Sequence, residues 1–102
     1  MSQILVMATL KLNDEKLLED WKTLSKKITE DLRGQDGFIW RESGRDENGL
    51  IYCILRWESK EKQEKFMSAL MARTDDEHTV MMTEFSRVVN MQSMTKEIVE
   101  VF

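Results

Sequence analysis

Two segments of the chain carry apolar residues on both of their alternating faces, which predicts two strands that are covered on both sides. The first is QILVMATLKL (3–12), and the second is LIYCILRW (50–57). The second segment places Ile51, Cys53, Leu55 and Trp57 on one face and Leu50, Tyr52 and Ile54 on the other. Helices packed on one side of a sheet can cover only one of these two sets.

Two amphipathic helices are predicted between the strands. Apolar residues recur at three- and four-residue intervals from about residue 14 to about residue 33, between Asn13, a good N-cap, and Gly34, which can end the helix. Ser59 caps a second helix, SKEKQEKFMSALMA. The apolar side of that helix consists of Phe66, Met67, Leu70 and Met71.

The remaining segments complete a βαββαβ order. The segment 37–43 alternates as a strand, and the Asn48-Gly49 pair predicts the turn of an antiparallel hairpin with the strand at 50–57. The segment 73–84 fits a loop, a short third helix or a continuation of the second helix broken near Thr74 and Asp75, and of these we predict a loop with one helical turn. A fourth strand is predicted over FSRVVNMQSM (85–94). The tail 95–102 is apolar enough to be ordered, as a short fifth strand or as a packing arm. The pattern therefore indicates one domain over residues 1–102 with its core at about 4–94.

Composition and charge exclude several classes of function. The net charge is -4, and basic residues alternate with acidic ones, so we expect no nucleic-acid partner. No stretch approaches the roughly 18 apolar residues of a membrane span, and the N-terminus has no signal-peptide pattern, so we expect a cytoplasmic protein that does not bind membranes. The single cysteine, Cys53, falls in an apolar run and is predicted to be a buried, reduced thiol.

The uncovered face of the predicted sheet implies a partner. A contiguous apolar patch of this kind is rarely left exposed on a soluble monomer. A second copy of the same chain is the simplest cover, because a two-fold dimer brings the same patch of both subunits together. We therefore predict a homodimer.

Several segments together resemble one known family. The strand-to-helix junction ILRWESKEKQEKF, the strand GFIWRES after a glycine, the last strand that starts with Phe and the βαββαβ order are similar to the antibiotic biosynthesis monooxygenases, which form dimeric α+β barrels. The resemblance implies an α+β, ferredoxin-like protomer: an antiparallel four-stranded sheet with two helices on one face. It also implies a dimer of facing sheets and a ligand cavity between the helices and the sheet of each protomer.

The activities that the resemblance implies are diverse. They include cofactor-independent oxygenation of polycyclic phenols and quinols, haem degradation and isomerisation. In the haem-degrading branch an Asn, a Trp and a His form the site. Here Leu10 and Phe66 stand at the first two positions and His78 lies near the third, so haem degradation is not expected.

The candidate catalytic residue is His78, the only histidine, which is either a general base or a solvated loop residue. Candidate substrate-binding residues are Trp40, Tyr52, Phe66 and Met71, for which packing within the protein is the alternative role. No metal site is expected, because the consecutive acids before His78 cannot converge on one ion.

Arg41 and Arg56 lie on predicted strands. The nearby Glu42, Glu58 and Glu84 favour structural ion pairs for these arginines over substrate binding.

Two functions remain open from the sequence. One is a cofactor-independent monooxygenase in which a small apolar or aromatic substrate, a quinol or phenol, supplies the electron to dioxygen itself. The other is a non-catalytic, homodimeric ligand-binding or interaction protein of the same fold. An RNA-recognition module with the same element order is disfavoured, because LIYCILRW does not match the aromatic and basic pattern of its third strand.

Overall fold

The computed structural model describes residues 2–102, which contain four strands and three α-helices. The elements are β1 (Ile4–Leu12), α1 (Leu18–Leu32), β2 (Phe38–Arg45), β3 (Ile51–Trp57), α2 (Lys60–Met71), α3 (Asp76–Val88) and β4 (Val89–Glu100). The strands form one antiparallel sheet in the order β2-β3-β1-β4. The predicted four-stranded, ferredoxin-like fold is confirmed. None of the helices in this part of the chain is long and apolar enough to cross a membrane.

The strand alternation places one apolar set under the helices. In β1 and β3, Ile4 lies opposite Trp57 and Leu10 lies opposite Ile51, and all four side chains are buried. Arg56 and Ile54 lie opposite Leu5 and Met7 on the other face of the sheet, which no helix of the protomer covers. We call this second face the open face.

The core consists of two clusters between the sheet and the helices. In the first, Trp21 of α1 meets Phe85 of α3 edge to face, with ring centroids 6.2 Å apart. In the second, Trp57 lies between Phe38 and Phe66, at centroid distances of 5.6 and 5.4 Å. Aromatic packing of this kind fixes all three helices against the same face of the sheet.

The prediction of a loop over 73–84 was wrong, because most of it belongs to the third helix, α3. Asp75 is the N-cap and its side chain accepts a hydrogen bond from the His78 backbone N–H. Met81, Phe85 and Val88 then recur at helical spacing and pack against the first core cluster. The predicted fourth strand therefore began too early: residues 85–88 end α3, and the fold has three helices where two were expected.

The C-terminal tail extends β4 to Glu100 and pairs with β1. Val99 lies opposite Leu5, and Glu97 lies opposite Met7. The tail is ordered, as predicted, but it continues the fourth strand and forms no separate fifth strand.

Local caps account for several of the helix ends. The Ser59 hydroxyl accepts from Lys62 N, as predicted for the start of α2, and Gly34 has a φ of 86° just beyond α1. Asn13, however, is not the cap of α1. Its side-chain amide donates to the carbonyls of Arg87 and Val89 at 2.9 and 3.2 Å, and so ties the end of β1 to the end of α3.

Candidate functional site

A cleft of about 470 Å³ lies between α1 and the β2–β3 hairpin. This volume falls within the range of about 300–1,000 Å³ that small-molecule sites occupy. Leu18, Trp21 and Ile51 contribute its apolar lining. The cleft is between a helix and the sheet of the same protomer, which is where the sequence resemblance implied a cavity.

The polar part of the cleft is cationic. Lys22, Lys26, Arg41 and Arg45 all line it, and no carboxylate does. Of these, Lys22 has an exposed partner, Glu19, at 3.2 Å on the same helix. The other three cations form no salt bridge among residues 2–102, so most of the positive charge in the cleft has no counter-ion there.

Arg41 is held at the cleft wall by neutral groups. Its Nη1 donates to the hydroxyls of Ser25 and Thr29 at 2.6 and 3.0 Å and to the Ser25 carbonyl at 3.1 Å. Its Nη2 donates weakly to the Cys53 sulfur, 3.6 Å away. Two successive turns of α1 thus hold the guanidinium of Arg41, a residue of β2, in one orientation.

Burial gives this guanidinium an electrostatic cost. Desolvation lowers the pKa of Arg41, and the nearby Cys53 thiol offsets the effect only in part. A cation that is partly desolvated and has no counter-ion attracts an anion more strongly than an exposed cation does.

The predicted ion pairs of Arg41 and Arg56 were wrong. Across residues 2–102, neither arginine forms a salt bridge with a carboxylate. Neighbouring residues of a strand point to opposite faces of the sheet, so Glu42 lies on the open face while Arg41 lies on the face that carries the helices. Glu58 pairs with Lys62 and Glu84 with Arg87. Arg56 instead donates to the Gln3 side chain at 2.6 Å.

Two of the predicted substrate-binding residues, Trp40 and Tyr52, lie on the open face. Trp40 is opposite Arg56, and Tyr52 is opposite Gly44. Tyr52 is 41% exposed and lines a shallower depression of about 290 Å³ together with Ile54. These two aromatic residues therefore share a surface, but that surface is on the other side of the sheet from the cleft.

The other three predicted site residues are dispersed. Phe66 packs against Trp57 in the second core cluster, and Met71 ends α2 with 81% of its surface exposed. His78 lies in the first turn of α3, where its Nδ1 is buried without a hydrogen-bond partner among the described residues. None of the five predicted residues lines the cleft. Their roles in binding and catalysis stay predictions.

The residues that form the cleft were not predicted, although the sequence contains a pattern that indicates them. Lys22, Ser25, Lys26 and Thr29 recur at three- and four-residue intervals beside the apolar stripe of α1. Serine and threonine side chains that lie beside the apolar stripe of a helix indicate that this side of the helix contacts polar groups. No sequence spacing relates these side chains to Arg41, which reaches them only through the fold.

The comparisons with known proteins identify the fold. No protein-family model and no curated protein sequence matches the chain. Among solved structures, a candidate antibiotic biosynthesis monooxygenase from Nitrosomonas europaea superposes with a TM-score of 0.77 at 5% identity, over 99% of this chain and 91% of that one. The chain has the fold of these proteins. SnoaB, a cofactor-independent oxygenase from Streptomyces nogalater, gives a TM-score of 0.74 at 7% identity, over 99% and 94% of the two chains.

A third similar structure is that of a dimeric protein. A dimeric ferredoxin-like protein from an uncultured marine organism gives a TM-score of 0.75 at 16% identity, over 100% of this chain and 90% of that one. The solved structures that this chain resembles thus include antibiotic biosynthesis monooxygenase proteins, in agreement with the sequence resemblance. At such low identities the likeness establishes the fold, and function rests on the site itself.

Proposed function

We propose that this chain forms a homodimer and binds a small aromatic molecule in the cleft of each protomer, where it acts as a cofactor-independent monooxygenase of a quinol or phenol. The observation that carries the proposal is the cleft itself. It combines an apolar lining from Trp21 and Ile51 with the partly desolvated cation of Arg41. An apolar pocket with a few convergent polar groups is the usual form of a small-molecule site.

The open face supports the homodimer. Leu5, Met7, Trp40, Tyr52, Ile54 and Val99 place apolar surface on one side of the sheet. Several of them are only partly buried in the protomer, and Tyr52 and Val99 are classed among the exposed large side chains. A second sheet of the same kind would cover this surface, as a two-fold interface requires. A dimeric protein of similar fold exists.

The positive cleft suggests how the substrate is activated. A phenol or an activated methylene must lose a proton before it can give an electron to dioxygen, and nearby cations favour the resulting anion. Arg41, Lys26 and Arg45 would supply this stabilisation. The electron transfer gives a substrate radical and superoxide, which combine at carbon to form a peroxide.

For a ring methylene flanked by two aromatic rings, as in an anthrone, the atoms and electrons balance without a cofactor. The proton removed at the start returns to the peroxide. Loss of water then converts the methylene to a carbonyl, so that one oxygen atom of dioxygen enters the product and the other leaves as water. The cleft is lined by cations and hydroxyls, which stabilise the substrate anion. Because the lining contains no carboxylate or histidine among the described residues, the proton that the substrate loses would pass to water at the cleft mouth.

The test is oxygen uptake with a panel of anthrones and quinols. We expect wild-type protein to exceed the rate in buffer and Arg41→Gln to lower kcat/KM by about 100-fold, the usual size of the loss of one anion-stabilising donor. Arg33→Gln is the matched control, because it removes one exposed cation beyond the end of α1 and should keep the wild-type rate. Uptake no faster than in buffer for every substrate would contradict the oxygenase proposal.

The same assay tests His78 as a general base. His78 lies outside the cleft lining. The effect of His78→Ala therefore distinguishes a mechanism in which water accepts the substrate proton from one in which His78 accepts it. Equal rates for wild type and His78→Ala would remove His78 from the reaction. A loss confined to His78→Ala would assign the proton transfer to it.

The second candidate function is non-catalytic ligand binding by the same cleft. It is favoured by the cleft lining, in which no histidine or carboxylate is found among the described residues. Tight binding of an aromatic ligand without oxygen uptake would support this function and exclude the oxygenase.

A further inference from the structure

The cleft and the rest of the molecule carry opposite charge. The chain has a net charge of -4, yet the cleft gathers four of its cations and no acid. Elsewhere on the chain, several cations are paired with acids, as in Lys60–Glu64 and Lys62–Glu58. A local excess of positive charge that the protein does not neutralise costs stability through repulsion, and an anionic ligand would relieve that repulsion.

Arg41 also retains donors that it does not use. Its Nη1 is occupied by Ser25 and Thr29, but its Nε–H has no acceptor in residues 2–102, and Nη2 has only the weak contact with sulfur. Elsewhere in this chain, Arg73 uses these same two nitrogens, Nε and Nη2, to hold the two carboxylate oxygens of Asp75 at 2.9 and 2.8 Å. Nε and Nη2 form the edge of a guanidinium that fits a carboxylate in a bidentate manner.

The groups around Arg41 suit the same anion. Ser25 is buried and its hydroxyl oxygen accepts from Arg41, so the hydroxyl proton is available to a ligand oxygen. Lys26 and Arg45 line the cleft and form no salt bridge among residues 2–102. The cleft therefore offers a fixed guanidinium for positioning and two further cations for attraction.

We infer that the aromatic ligand of the cleft carries a carboxylate, which the Nε and Nη2 edge of Arg41 holds while the rings lie against Trp21 and Ile51. This inference rests on the proposed function for the location of the site and extends it to the chemical class of the ligand. A carboxylate fits better than a phenolate alone, because it presents two oxygens to the two nitrogens. The carboxylate is a binding group and is separate from the carbon that would react. For such a ligand Arg41 holds the carboxylate, and Lys26 and Arg45 would stabilise the reacting anion.

The experiment compares two ligands of nearly the same shape by isothermal titration calorimetry. Anthraquinone-2-carboxylate carries the anion, anthraquinone-2-carboxamide is its neutral counterpart, and neither needs turnover to be detected. We expect the carboxylate to bind at least about 10-fold more tightly, with a preference that falls as salt is raised. Arg41→Gln should remove most of this preference and leave only the weaker, salt-sensitive part that Lys26 and Arg45 supply, while the carboxamide affinity stays nearly constant.

Two further variants separate geometry from charge. Arg41→Lys keeps the charge but loses the planar fork, so we expect an intermediate ratio. Arg33→Gln changes the net charge by the same amount as Arg41→Gln and should keep the wild-type ratio. Circular dichroism and a thermal melt establish that each variant is folded before its titration is interpreted.

The outcomes distinguish this inference from the proposed function. Equal affinities for the two compounds in the wild type, or a preference of undiminished size in Arg41→Gln, would overturn the carboxylate inference and leave the aromatic site intact. If neither compound binds and no neutral anthrone supports oxygen uptake, the proposed function fails with it.

Discussion

At the scale of single residues, Arg41 links the stability of the protein to its proposed function. Its guanidinium is partly desolvated and bonded to neutral groups, so the cation costs stability that a counter-ion would restore. Replacement of a poorly compensated buried charge by an apolar side chain of similar length is often neutral or stabilising.

We therefore expect Arg41→Met to leave the free energy of unfolding unchanged or to raise it by about 1 kcal/mol, as measured by urea denaturation. The same variant should lose most of the preference for carboxylate ligands. A loss of stability greater than about 2 kcal/mol would show that Arg41 is retained for the fold and not for a ligand.

Two glycines with the same backbone conformation permit a matched test of local packing. Gly34 and Gly37 have φ values of 86° and 87°. A Cβ at Gly34 would meet nothing within 4 Å, whereas at Gly37 it would lie 2.7 Å from Cβ of Lys62. Both substitutions strain the backbone, but only one also produces a clash with α2.

We expect Gly34→Ala to destabilise the protein by about 1 kcal/mol, the cost of the left-handed conformation. Gly37→Ala should cost about 1–3 kcal/mol more, because the side chain of Lys62 and the start of α2 must shift. Urea denaturation of the two variants gives the difference directly. Equal losses would mean that the approach of α2 to this turn is not constrained.

At the scale of elements, the sequence predicted the strands at 3–12, 37–43 and 50–57 and the first two helices, because each combines a clear period with a cap or a turn. It failed for α3 and β4, which follow one another directly: Val88 ends the helix and Val89 starts the strand. Phe85, Val88 and Val89 fit both periods in such a short window. Packing in the first core cluster, where Phe85 meets Trp21, favours the helical conformation of residues 85–88.

The candidate site was less predictable for a related reason. Trp40 and Tyr52 are conspicuous as aromatic residues in a hairpin, but the alternation of β2 and β3 places them on the open face. The cleft is formed by side chains of α1 and β2 that are separated in sequence by the intervening turn, such as Thr29 and Arg41. A periodic pattern within one helix or strand cannot predict a contact between residues of two different elements.

The N-cap of α3 gives a prediction about acid stability. The Arg73 guanidinium, followed by the His78 backbone N–H, holds the pKa of Asp75 well below its usual range. A carboxyl whose pKa is lowered on folding contributes stability above its unfolded pKa, near 4, and loses that contribution as the pH falls toward the folded value.

Urea midpoints at pH 7, 4 and 3 should therefore show a difference between wild type and Asp75→Asn that is largest at pH 7 and shrinks as the pH falls. Asp76→Asn, one residue later, is the control for the change in charge and should show a smaller difference at pH 7. A wild-type advantage over Asp75→Asn that is constant from pH 7 to pH 3 would contradict this account of the cap.

At the scale of the whole molecule, the two faces of the sheet have separate roles. One face carries the helices and, at the edge of α1, the cleft; the other face presents Tyr52, Ile54 and their neighbours without cover in the protomer. Two sheets facing each other would bury the second set and leave both clefts on the outside of the dimer. The ligand sites and the interface would then be independent.

Sedimentation equilibrium at micromolar concentration should give twice the protomer mass of 12.1 kDa. Tyr52→Glu, which places a charge on the open face, should give a folded monomer, because a buried unpaired charge is costly at an interface. Ser68→Glu, at an exposed position of α2, is the control and should remain dimeric. A wild-type protein that sediments as the protomer would exclude the proposed interface.

The location of the ligand is the most direct test of the central claim, that the cleft between α1 and the β2–β3 hairpin is the binding site. Amide chemical shifts of the isotope-labelled wild-type protein can be followed during titration with anthraquinone-2-carboxylate. We expect the perturbed amides to cluster at Ser25, Thr29, Arg41 and Gly44, around the cleft. Perturbations centred on Leu5, Tyr52 and Ile54, on the open face, would contradict it.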